Sequence, residues 1–97
     1  MKEEYSFVIY TDNDQNFVIF IMTELSKDNY QFPETLASEL INQGYEHTGN
    51  ADVFKLPKDV GKHACYVALK NKGYKYTKEI SRALAKEMQG FLTVYNP

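Results

Sequence analysis

Ninety-seven residues, 43% of them hydrophobic, suffice for one ordinary core and are too few for a second independent one. Cys65 is the only cysteine, which excludes an internal disulfide and leads us to expect a reducing, cytoplasmic setting. The net charge of −2 is split by position: residues 1–51 set two lysines against nine acids, a net −7, and residues 52–97 set nine basic residues against four acids, a net +5. Such a field steers partners and self-association without fixing the fold.

The chain begins Met-Lys-Glu-Glu, with no basic start followed by an apolar stretch, so no secretory signal is expected. Tyr5 to Tyr10 and Phe17 to Met22 are β-branched and aromatic runs separated by Thr-Asp-Asn-Asp-Gln-Asn, a turn-forming cluster, and read as a β-hairpin. Phe17 to Met22 is also the longest apolar run, far short of the roughly 20 residues that span a bilayer, so no membrane association is expected. Residues 24–32 are polar and irregular. Pro33 then opens a helix with Leu36, Ala37, Leu40 and Ile41 on one face, closed by Gly44 with Tyr45 folding back on its last turn.

Asp52 to Leu56 reads as a short strand stopped by Pro57, and Lys62 to Asn71 as a longer one, with Val60-Gly61 between them forming a second hairpin. Thr77 is a candidate N-cap for a second helix carrying Ile80, Ala83, Leu84 and Met88 and closed by Gly90. Phe91 to Tyr95 reads as a last strand. The expected fold is therefore α+β in two layers: a mostly antiparallel sheet of four to five strands with two helices on one face, in the order ββα-ββα-β. The two halves mimic each other in element order but not, on this reading, in residues.

Strand Phe17–Met22 is apolar on both sides, Phe17, Ile19 and Ile21 pointing one way and Val18, Phe20 and Met22 the other. One set can pack under the helices. The other is expected to lie on an open face that a partner covers, because monomers rarely expose large apolar patches. Tyr10, Val18, Phe20, Met22 and Tyr66 are the residues expected to form that protein-binding face.

Several other patterns carry chemistry in principle. Asp12-Asn13-Asp14-Gln15-Asn16 resembles the start of a calcium-binding EF-hand loop, but Phe17 stands where the loop needs Gly and Thr23 where it needs Glu, so a plain turn is expected. His63 and Cys65, two apart on an expected strand, would share a face as a thiol–imidazole pair or two metal ligands, yet no second cysteine completes a zinc set. The glycines form no phosphate-cradling loop. No metal, cofactor or catalytic constellation is expected.

Lys78, Arg82 and Lys86 fall at helical spacing, preceded by Lys70, Lys72 and Lys75 with Tyr74 and Tyr76 interleaved. This stripe could follow a nucleic-acid backbone while tyrosines stack on bases. A sheet with two helices is similar in layout to RNA-binding sheet domains, although the Arg/Lys-Gly-Phe signature of their strands is missing. The leading expectation is a non-enzymatic protein-binding module, of which a small inhibitor or immunity-type protein and a homodimer are two forms. Nucleic-acid binding through Lys70–Lys86 is the alternative.

Overall fold

The computed structural model describes residues 5–22, 34–49, 52–78 and 92–97. They form one six-stranded sheet and two helices, an α+β arrangement in two layers. The hairpin is longer and tighter than the sequence suggests. Strand β1 (Tyr5–Asp12) pairs antiparallel with β2 (Gln15–Met22) in a register running from Tyr5 opposite Met22 to Asp12 opposite Gln15. Only Asn13 and Asp14 turn the chain, both at positive φ (51° and 64°), the mirror-image turn whose twist matches the flanking strands and which Asn and Asp tolerate.

Helix α1 (Glu34–Asn42) is where the sequence places it. Gly44 at φ 98° lets Tyr45 N–H reach back to the Leu40 carbonyl at 2.9 Å, while its own N–H reaches Ile41 at 3.0 Å, which satisfies carbonyls the helix leaves open. Strand β3 (Glu46–His47), not foreseen, follows and pairs with β4 (Val53–Lys55), which in turn pairs with β2. Thr48 holds this second hairpin by donating from N–H and Oγ1 to the Val53 carbonyl, both at 3.1 Å.

Lys62 to Asn71 is helix α2, not a strand, so Asp52–Leu56 takes β3 rather than this segment as its hairpin partner. Cys65 and Leu69, four apart, are its buried residues, and it ends as α1 does: Gly73 at φ 98°, with Tyr74 N–H bonded to Leu69 O at 3.2 Å. Strand β5 (Lys75–Tyr76) then runs parallel to the first half of β1, and β6 (Leu92–Val94) antiparallel to its second half. The sheet order is β3-β4-β2-β1-β5, with β6 sharing the outer edge of β1. The helix expected from Thr77 through Ile80, Ala83, Leu84 and Met88 to Gly90 lies outside the described residues, apart from Thr77 itself.

Both helices cover one face of the sheet. Phe7 and Ile9 of β1, Val18 and Phe20 of β2 and Phe54 of β4 meet Leu36 and Leu40 of α1 and Cys65 and Leu69 of α2. Val8, Tyr10, Ile19 and Val53 form a separate cluster on the other face, with Phe17, Ile21, Leu92 and Val94 beside them. That face is not open, since Val8 and Tyr10 have no exposed surface and Ile19 retains 3%.

The candidate binding surface

The expected protein-binding face does not exist as one surface. Tyr10 lies opposite Phe17 in the hairpin register, so it shares a face with the odd-numbered residues of β2, whereas Val18 and Phe20 point to the helices and are core. All three are buried. The side chain of Met22 lies outside the described residues. Tyr66 sits on α2, with its ring against Phe7, Tyr76 and Tyr95.

A helix also undoes the His63–Cys65 pair, because positions two apart on it diverge by roughly 200°. Cys65 points inward with no exposed surface, bonded to Tyr45, and burial pushes its thiol up to about 11. Such a thiol is inert. His63 points outward. Among the described residues no group of three or more His, Cys, Asp or Glu side chains could hold a metal ion. Asn13-Asp14, the centre of the EF-hand-like stretch, is the hairpin turn.

What α2 does bring together is an exposed stripe. His63, Tyr66, Val67 and Lys70 stand at i, i+3, i+4 and i+7 along the side away from the buried Cys65 and Leu69. Val67, at 40% exposure, is its apolar centre. The β5–β6 junction extends the stripe sideways with more rings. His63 Nδ1 is hydrogen-bonded to the Tyr95 hydroxyl at 2.7 Å and its ring lies over Tyr66, centroids 6.1 Å apart. Lys62 Nζ donates to Thr11 Oγ1 at 2.9 Å and rests 6.0 Å from the Tyr95 ring centre.

Tyr76 ties this corner to the sheet. Its hydroxyl sits between the ends of β5 and β6, donating to the Tyr95 carbonyl at 2.6 Å and accepting from Ile9 N–H at 3.4 Å. Burial raises its pKa above the usual tyrosine value. The corner is therefore braced from below, with half-buried Tyr66 and Tyr95 and exposed His63 and Val67 on top.

The lysine stripe of the sequence is only partly assembled. Lys70 and Lys75 are exposed, but Lys72 is drawn into an ion pair with Glu39 of α1 at 2.6 Å, and Lys78 donates to Asn96 Oδ1 at 2.6 Å. Arg82 and Lys86 lie outside the described residues. Even so, residues 60–78 and 92–97 carry five lysines and no acid. Sequence reasoning missed Lys62, Val67 and Tyr95 as neighbours. The signal that could have found them is the match between Leu40-Ile-Asn-Gln-Gly-Tyr45 and Leu69-Lys-Asn-Lys-Gly-Tyr74, a shared helix ending that marks α2.

A shallow hollow of about 320 Å³ lies apart from this corner, between the β1–β2 turn and residues 55–58, lined by both Asp14 and lysines 55 and 58. Among the described residues no helix is long and apolar enough to cross a membrane. Comparison with protein-family models, with curated proteins and with solved structures finds no match.

Proposed function

We propose that the chain is a non-enzymatic protein-binding module whose contact surface is the outer face of α2 with Tyr95 beside it, the kind of surface a small inhibitor or immunity-type protein uses to occupy a partner. The observation that carries this reading is Val67, an exposed β-branched residue flanked by His63, Tyr66 and Lys70. An apolar centre, aromatic anchors and a charged rim are the anatomy of a protein interface, and an i, i+3, i+4, i+7 stripe is the pattern by which helices dock on proteins. A buried, unreactive Cys65 held away from His63 argues against thiol chemistry and fits a reducing cytoplasm.

The run of residues 60–78 without an acid favours a second reading, nucleic-acid binding, and one experiment separates the two. Immobilised wild type and Val67→Glu are used to capture partners from lysate of cells that produce the protein, with and without nuclease. Wild type is expected to retain one protein near stoichiometrically after nuclease, and Val67→Glu to lose at least about 90% of it with an unchanged thermal melt, since exposed substitutions stay within roughly 0.5 kcal/mol. Retention unaffected by Val67→Glu would overturn the assigned surface. Retention that collapses with nuclease would move the corner to nucleic acid.

A further inference from the structure

We infer that the outer face of α2 docks α1 of a second copy of this chain, forming a two-fold dimer with two equivalent α1–α2 contacts. The inference rests on the reading of α2 as a protein-contact surface and names its occupant. Among the described residues the exposed large hydrophobics are Ile41, at 54%, and Val67, at 40%, one on each helix. The helices also differ in charge: α1 carries Glu34 and Glu39 and no basic residue, whereas α2 carries Lys62 and Lys70 and no acid. Glu39 is already committed to Lys72 within the chain, which leaves Glu34 as the exposed acid of α1.

The spacings match as well as the charges. Glu34, Ser38 and Ile41 stand at i, i+4 and i+7 on α1, and His63, Val67 and Lys70 at the same intervals on α2, each stripe roughly 10 Å long. Laid antiparallel, the two stripes put Glu34 against Lys70, the small Ser38 against Val67, and Ile41 against His63 and Tyr66. Laid parallel, they would put Ile41 on Lys70 and Glu34 on His63, where the neighbouring Lys62 already donates to Thr11. The antiparallel pairing also opposes the helix dipoles. Both helices lie on the same side of the sheet, so one face-to-face approach of two helical layers makes both contacts at once, as a two-fold axis requires.

Sedimentation velocity on the purified full chain, from about 2 to 200 μM, tests this because dimer population follows protomer concentration. Wild type is expected to show a monomer–dimer equilibrium whose Kd rises about tenfold between roughly 0.05 and 0.5 M salt. Lys70→Glu and Glu34→Lys, each alone, place like charges at both contacts and are expected to weaken dimerisation about tenfold or more. Mixed one to one, the two variants restore opposite charges at both contacts and should form a heterodimer of wild-type affinity. A wild type that stays monomeric throughout, or a dimer indifferent to both substitutions, would overturn the inference. If wild type is monomeric while Val67→Glu still abolishes partner capture, self-association fails and α2 remains a surface for a different chain.

Discussion

Tyr10 has no exposed surface, and its hydroxyl has no hydrogen-bond partner among the described residues; nor does Oδ1 of Asp12, two positions along the same face. Desolvation raises the Tyr10 pKa, with the Asp12 charge adding to it. A buried hydroxyl without a partner costs about 1–3 kcal/mol. Tyr10→Phe keeps the ring stacked on Phe17, centroids 5.4 Å apart, and removes that penalty. It is expected to stabilise the protein by about 1 kcal/mol, read as a higher urea midpoint at unchanged slope. Cys65 gives a pH dependence of definite sign. Its pKa rises from 9.0 to about 11 on folding, so the unfolded chain releases the thiol proton first. Stability is full below about pH 9 and falls as pH climbs toward 11, by on the order of 2–3 kcal/mol from this group. Tyr45, Tyr10 and Tyr76, all raised by burial, add loss in the same direction. Unfolding free energy measured from pH 8 to 11 should fall more steeply for wild type than for Cys65→Ala; equal slopes would contradict the burial of the thiol.

The helices repeat one design at an offset of 29 residues: Leu36, Leu40, Gly44 and Tyr45 answer to Cys65, Leu69, Gly73 and Tyr74, and each of these two buried tyrosines leads into a two-residue strand. Both glycines hold φ 98°, where an added Cβ is strained, so Gly44→Ala and Gly73→Ala are each expected to cost about 1–2 kcal/mol, measurable as a fall in thermal midpoint. Leaving either midpoint unchanged would show that the caps can relax. Only one of the two units was legible. Pro33, a clear apolar stripe and Gly44 announce α1, but in α2 Cys65, Val67 and Leu69 alternate with other residues and imitate a strand. The imitation depends on Val67, which faces outward; the buried pair Cys65 and Leu69 has helical spacing. Residue-level matching of the two Gly-Tyr endings was the stronger cue. The open-face expectation failed through register: placing Tyr10 opposite Phe17 already separates it from Val18 and Phe20. Tyr66 belongs to the surface because it is on a helix, a position the strand reading could not supply.

For the whole molecule, class and layering were legible because the period-2 runs of β1 and β2 and the turn residues between them are strong. The charge split was legible too, but the two charged halves of the sequence are not halves in space. β5 and β6 from the basic half pair with β1 from the acidic half, and the Lys72–Glu39 ion pair joins the two helices. Both ion-pair partners are partly exposed, so the pair contributes about 0–1 kcal/mol and serves chiefly to remove two charges from the surface. The way β5 and β6 divide the outer edge of β1 has a kinetic meaning. The β1–β2 hairpin closes over a two-residue turn, a microsecond event, whereas Ile9 and the Tyr76 hydroxyl that spans the junction are 67 positions apart. Until that distant segment returns, the edge of β1 is an unpaired row of donors and acceptors, able to accept the equivalent strand of a neighbouring molecule. Closing that edge is thus also the step at which two chains compete with one for the same strand, and dilute refolding favours the intramolecular outcome.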